Sequence, residues 1–208
     1  MVQYKLYYFP VRGLAEAIRQ LFALSKVPFE DIRINFEDWP KYKKDMPFET
    51  MTVLSINGCL LPQSYAILRY LAKQFGYAGK TPLEEATIDA LADLMNDFKY
   101  ETSPYYNAYF NDEISAEELE KLKTENFKPW LEKLFNFYEK YLRKSNSGFF
   151  VDSGVTWIDL FVVDQIGTFI NRAPGCLEGH EELQKLRDNV LSIPEIKEWV
   201  EKRPVTER

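Results

Sequence analysis

The sequence predicts a small mixed α/β domain over residues 1–79, followed by an all-helical domain over residues 80–208. Three observations carry this. Short β-prone runs occur in the first sixty-two residues and nowhere convincingly after them. An Asn57-Gly58 pair stands between two apolar runs, a strong hairpin signal, because a type I′ turn needs φ > 0 at both positions. Beyond residue 80 capping boxes recur, the mark of helix starts.

The elements follow in order. Tyr4 to Phe9 is the first strand, ended by Pro10 and Gly13. Leu14, Ala15, Ile18, Leu21 and Phe22 then share one helix face. In FEDIRIN, Ile32 and Ile34 alternate with Asp31 and Arg33, as in a half-buried strand. Residues 36–50, with Trp39, Pro40 and Pro47, read as irregular. The hairpin around Asn57-Gly58 leads into a helix with Ser64 as its N-cap, Ile67, Leu68, Leu71 and Phe75 as its face, and Gly76 as its stop. Strand-helix-strand implies a parallel pair with a right-handed crossover, and the hairpin adds antiparallel strands. YAGKT, residues 77–81, is a linker. Thr81 to Glu84 opens a helix expected to run from about 82 to 110. Ser115 to Glu118 opens another, to about 144, bent at Pro129. Thr156 and Asp159 open a third, to about Asn171, and shorter helices cover 180–191 and 195–202.

Composition narrows the function. The chain is 46% apolar and 28% charged over 208 residues, which fits a globular protein and excludes global disorder. Its net charge is −6, from 26 basic and 32 acidic residues, so neither nucleic acid nor an anionic membrane surface is an expected partner. Two distant cysteines, Cys59 and Cys176, and the lone His180 offer no metal cluster and no disulfide scaffold. The most apolar late stretch, WIDLFVVDQIGTFI, is interrupted by Asp159 and Asp164, so no membrane span is expected. MVQYKLYYF has no signal-peptide pattern, and a cytoplasmic location is the expectation. Aromatic residues reach 15%, which favours large buried areas and flat pockets.

Four places stand out as chemically able. Tyr8 lies where the first strand ends, and ligands of open α/β sheets bind beyond the carboxyl ends of strands. It can serve there as a hydrogen-bond donor or simply as a core tyrosine. Gln63-Ser64 lies at a helix N-terminus, whose free N–H groups and dipole attract carboxylates; a plain cap is the alternative. Trp39 and Lys43 sit in the polar loop, and Asp97 sits mid-helix, each with solvated surface as the alternative.

Together these residues carry a resemblance. YYFPVRGLAEAIRQLFAL, DWPKYKKDMPF, the stretch from TVLSING to QSYAILRYLAKQFGYAG, SGVTWIDLFVVD and IPEIKEWVEKRP resemble the cytosolic glutathione transferases, nearest to the Sigma-like branch common in nematodes. The resemblance spans the whole chain. It implies a thioredoxin-like first domain that holds reduced glutathione as co-substrate, with no prosthetic group and no metal. It implies that Tyr8 hydrogen-bonds the glutathione sulfur, that Gln63 and Ser64 take the γ-glutamyl carboxylate, and that Trp39 and Lys43 contact the glycyl end. The Met51 backbone would meet the cysteinyl part, and Asp97 would reach the γ-glutamyl amine of the neighbouring subunit in a homodimer. The activity implied is conjugation of glutathione to small hydrophobic electrophiles, in detoxification. Phe9, Leu14, Tyr100, Tyr105, Tyr106 and Tyr109 are candidates for lining the acceptor pocket.

Three departures bear on that reading. Relatives carry a cis proline where this chain has Thr52, and a glycine where it has Glu49. Either the Met51-Thr52 peptide is cis, at a cost of ~3–4 kcal/mol for a non-proline bond, or the loop is reshaped. Glu49 is expected to resist a positive φ. Some relatives have Arg where Leu14 stands, so a polar support for Tyr8 is expected to be missing. These features leave an alternative: a dimer of the same fold that mainly binds apolar or haem-like ligands, with a weakened glutathione site.

Overall fold

Residues 2–206 are described by the structure, a computed structural model; Met1, Glu207 and Arg208, at the outer ends of the two expected domains, lie outside the described residues. Four strands form one sheet in the order β2-β1-β3-β4: β1 Tyr4–Tyr8, β2 Glu30–Arg33, β3 Val53–Ile56 and β4 Cys59–Pro62. As expected, β1 and β2 are parallel and the hairpin strands antiparallel. Asn57 and Gly58 take φ of 51° and 90°, the positive pair that the hairpin signal requires.

Helix α1 (Glu16–Ser25) follows a 3₁₀ turn at Gly13–Ala15, so its apolar face begins in the turn. The loop expected to be irregular contains a short helix α2 (Trp39–Tyr42) and a 3₁₀ turn (Lys43–Asp45). Helix α3 spans Ser64–Phe75 and stops at Gly76, in the left-handed region at φ 86°. Ser64 is not its N-cap. Gln63 holds that place, and Ser64 is the first helical residue, almost fully buried.

The second part is helical throughout, with two corrections to the expected spans. The helix from 82 breaks into α4 (Pro82–Glu101) and α5 (Ser103–Tyr109). Pro104 has no N–H to continue the ladder, and its ring opposes the carbonyl four residues back. Thr102, at the break, returns both its N–H and its hydroxyl to the Phe98 carbonyl. The helix from 115 is α6 (Ala116–Leu122), one π-helical turn (Lys123–Phe127) and α7 (Lys128–Leu142). Lys128 N–H reaches Lys123 O, five residues back, and this widened turn absorbs the proline at 129. Helices α8 (Trp157–Arg172), α9 (Glu181–Ser192) and α10 (Pro194–Lys202) complete the chain.

One apolar core runs through both parts, from Leu6, Ile18 and Phe22 to Met95, Phe135 and Ile166. Helix α8 crosses its centre, with Asp159 and Asp164 buried among apolar neighbours. None of the helices among the described residues is long and apolar enough to cross a membrane.

Candidate active site

Sheet register assembles one edge of the molecule. Tyr7 pairs with Val53, and Val53 pairs with Pro62. One step further along, Tyr8, Thr52 and Gln63 are neighbours at the same end, and Gln63 N–H donates to Thr52 O at 3.1 Å. The parallel strand β2 ends at that edge too, where Ile34 N–H donates to Tyr8 O at 2.8 Å. The chain then enters the loop with Trp39, whose ring meets Phe9 edge-on at 5.7 Å. Tyr8, Met51, Gln63, Ser64 and Trp39 thus converge on one rim of the sheet, whereas Lys43 projects from the exposed turn after α2.

Two backbone features mark this rim. The Met51-Thr52 peptide is cis, which answers the alternative posed by the missing proline. Thr52 is buried, and its hydroxyl has no hydrogen-bond partner. Gln63 takes φ 76° and ψ 116°, a conformation non-glycine residues seldom adopt. A positive-φ, non-glycine conformation like that of Gln63 costs ~1–3 kcal/mol and is found most often at functional sites. No side chain caps α3, so its first N–H groups and its dipole face the rim where Gln63 stands. Glu49, expected to resist a positive φ, adopts 51° all the same; it is exposed, and its N–H donates to Met46 O at 3.0 Å.

Tyr8 also opens onto a second space. A cavity of about 360 Å³ lies between the two parts of the chain, lined by Tyr8, Gly13 and Leu14 on one side and by Lys99, Tyr106 and Arg172 among others on the opposite side. The Tyr8 hydroxyl accepts the Leu14 N–H at 3.1 Å. Polar support for the phenol, expected to be missing because position 14 is leucine, therefore comes from the Leu14 backbone. That bond uses an oxygen lone pair and not the hydroxyl proton. Gly13, at φ 44°, permits the approach: a Cβ there would sit 2.6 Å from the Tyr8 oxygen.

Buried ion pairs fix the turn that holds Gly13 and Leu14. Arg12 bonds Asp164 of α8 at 2.6 Å and Thr168 at 3.3 Å. Arg19 donates to Val11 O at 2.9 Å and pairs with Glu16 at 3.2 Å and Asp31 at 3.1 Å. Glu16 in turn accepts from Trp199 and Arg203, each at 2.7 Å. Its pKa is lowered: burial works the other way but is outweighed by the cations around it. Burial dominates at Asp164 and pushes it up to about 6 despite Arg12. Sequence reading missed Arg12, Arg19 and Asp164. The available signal was Asp164 itself, an acid inside an apolar run, which calls for a buried partner.

Of the expected pocket residues, Tyr106 lines the cavity with Leu14. Tyr105 is instead core, packed on Phe127 at 4.6 Å, and Tyr100 is exposed. Asp97 is not brought to Tyr8. It is exposed on α4 and lines a separate hollow with Tyr100, Trp130 and Phe137. His180 is buried against Phe135 and bonds Glu132 at 3.1 Å. The described residues contain no cluster of three or more His, Cys, Asp or Glu able to hold a metal.

The structure thus joins a thioredoxin-like sheet to a helical domain, with a strand-end tyrosine between the sheet rim and the cavity that faces the helices. Comparison with known proteins makes this specific. The family model of the glutathione S-transferase N-terminal domain matches residues 3–73, and that of the C-terminal domain matches residues 96–203. Glutathione S-transferase 1 of Ascaris suum is 41% identical over 206 residues, covering 99% of each chain. A Nu-class transferase structure from Haemonchus contortus superposes with a TM-score of 0.91 at 40% identity over 100% of both chains. Na-GST-3 of Necator americanus, described as monomeric, gives 0.93 at 41% identity over 99% of this chain and 100% of that one. The chain belongs to the glutathione S-transferase family.

Proposed function

We propose that the protein conjugates reduced glutathione to small hydrophobic electrophiles, with Tyr8 holding the thiolate. The observation that carries this reading is that Tyr8 belongs to both spaces at once, the sheet rim and the interdomain cavity. Glutathione lies along the rim. Its γ-glutamyl carboxylate sits at the α3 N-terminus beside Gln63 and Ser64, its cysteinyl part against the Met51 backbone, and its glycyl end towards Trp39 and Lys43. The electrophile enters the cavity.

The physics of the thiol fits this division. A free thiol of pKa ~8.5 is only a few per cent thiolate at neutral pH. A hydrogen bond donated to the sulfur favours the charged form, and a shift of ~2 units corresponds to ~2.7 kcal/mol. A phenol of ordinary pKa ~10 keeps its proton near neutrality and can donate it. The thiolate attacks the electrophilic carbon, the S–C bond forms, and the displaced group leaves with its electron pair. The protein supplies the polarised thiolate and the alignment of the two reactants. Glutathione is the co-substrate, and no step requires a prosthetic group. Residues 1–79 form the glutathione-binding domain of this reading, and a cytoplasmic setting is consistent with a reduced thiol substrate.

The test is capture on immobilised glutathione together with a conjugation assay on a neutral, activated arene. Retention and turnover that depend on glutathione are expected. Ligand binding without either would favour the binder reading, to which the buried, unpartnered Thr52 hydroxyl lends some support.

We further propose a homodimer of C₂ symmetry, in which the exposed Asp97 reaches the partner's γ-glutamyl amine. Sedimentation at micromolar concentration is expected to give twice the 24.5 kDa chain mass. A species at the chain mass alone would remove Asp97 from the site.

A further inference from the structure

Two cations face the cavity beside Tyr8, and among the described residues no aspartate or glutamate lines it. Lys99 points its ammonium at aromatic rings, 5.2 Å from the centre of Phe161 and 5.9 Å from that of Tyr65. Burial brings Lys99 down to about 8. Arg172 lies over Tyr109 at 4.0 Å and Tyr106 at 4.9 Å. Its Nε and one terminal nitrogen are buried without a hydrogen-bond acceptor among the described residues.

Other buried cations of the chain are treated differently. Arg12 has Asp164, and Arg19 has Glu16 and Asp31. Among the described residues, two half-buried cations of one cavity have no carboxylate partner, and burying a cation without one carries a cost. Ring faces offset part of it, through cation–π attraction. An anionic ligand would offset more. A guanidinium fork with unused N–H groups matches a carboxylate or sulfonate, and an ammonium adds a point charge.

We propose that the acceptor cavity selects apolar electrophiles that carry an anionic group, a carboxylate or sulfonate, held by Lys99 and Arg172 while the reactive carbon faces Tyr8. This rests on the proposed conjugating function and names its substrate class. The aromatic body of such a ligand lies against Tyr106 and Phe110, and Gln165 and Thr168 offer further polar contacts on the α8 side.

The test uses a matched pair in which charge is remote from the reacting atom: 4-(3-oxobut-1-enyl)benzoate, a Michael acceptor, and its methyl ester. The thiolate adds to the β-carbon, the enolate takes a proton from solvent, and nothing leaves. Wild type is expected to prefer the acid in kcat/KM by roughly 10-fold or more, the effect of one charge-assisted hydrogen bond. Lys99→Met and Arg172→Gln should each reduce that preference towards unity, and Lys99→Arg should retain it. The saturated acid and ester, titrated calorimetrically without glutathione, read the same preference independently of conjugation. Equal binding of the two by wild type, or an unchanged preference in Lys99→Met, would overturn the proposal. Acid preference in a protein that never uses glutathione would instead overturn the conjugating function alone. Lys99→Met is expected to melt no lower than wild type at pH 7, since it removes an unpaired charge. A much lower melting point would show Lys99 holding the fold together and would count against an anion-binding role.

Discussion

Tyr8→Phe is expected to lower the conjugation rate by ~10²–10³, the range for losing one well-placed donor to a developing or full negative charge. The loss should fall on kcat and on kcat/KM alike, because the phenol acts on the sulfur and not on the peptide's carboxylates. Glutathione affinity at low pH, where the bound thiol is neutral, should change little. The phenylalanine ring keeps the packing on Phe9, now at 5.6 Å, so the strand end stays in place. The Leu14 N–H loses its 3.1 Å acceptor. A modest fall in stability is therefore expected beside a large fall in rate, and differential melting separates the two. A rate within 3-fold of wild type would remove Tyr8 from the mechanism; that ~3-fold margin is less than any oxyanion-type donor contributes.

The largest effect on stability is expected at Asp159→Ala. One carboxylate oxygen accepts the Phe150 N–H at 2.9 Å; the other accepts the N–H and the hydroxyl of Thr156, both at 2.7 Å. The group is fully buried, so its removal leaves three buried donors without an acceptor. Each such donor costs ~1–3 kcal/mol, and partial relaxation brings the total to about 3–5 kcal/mol. For a chain of this size that is on the order of 10 °C in Tm. The pH dependence has a definite sign. Burial raises Asp159 from 3.8 to about 6 in the folded protein. Between those values the folded state holds a proton that the unfolded state has lost. Wild type therefore has this contribution in full below pH ~4 and loses it as pH rises through ~6. The deficit of the alanine variant should be larger at pH 4.5 than at pH 7. A deficit that grew with pH would mean the three hydrogen bonds hold the folded pKa below its unfolded value.

Sequence patterning revealed much of this architecture because the relevant signals are local. Alternation at Ile32 and Ile34, the Asn57-Gly58 turn and the three capping boxes each depend on residues within a few positions of one another. The Thr156–Asp159 box even located the buried carboxylate. What stayed hidden depends on residues far apart. Arg12 and Asp164 are 152 positions apart, and only the packing of α8 on α1 brings the turn at Gly13 beside its partner. Lys99 reads as an ordinary lysine on a solvated helix face until α3 and α8 close over it. A bend at Pro129 was expected, whereas the break at Pro104 was not, since one helix was expected from about 82 to 110. Pro104 splits a helix, whereas Pro129 is absorbed by one π turn. Ser64 looked like a cap because serine before a helix usually is one. Here Gln63, in its rare conformation, is the N-cap, so the helix starts one residue nearer the chain's N-terminus and has no side-chain cap.

On the proposed mechanism, Tyr8 shifts the glutathione thiol towards thiolate at this rim. Its most direct test is the ultraviolet absorbance of the thiolate in the binary complex with glutathione, titrated against pH in wild type and Tyr8→Phe. In wild type the bound thiol is expected to titrate about 2 units below the free value of ~8.5, returning to near the free value in the variant. A bound thiol that titrates at the same pH in both proteins, at any value, would contradict it.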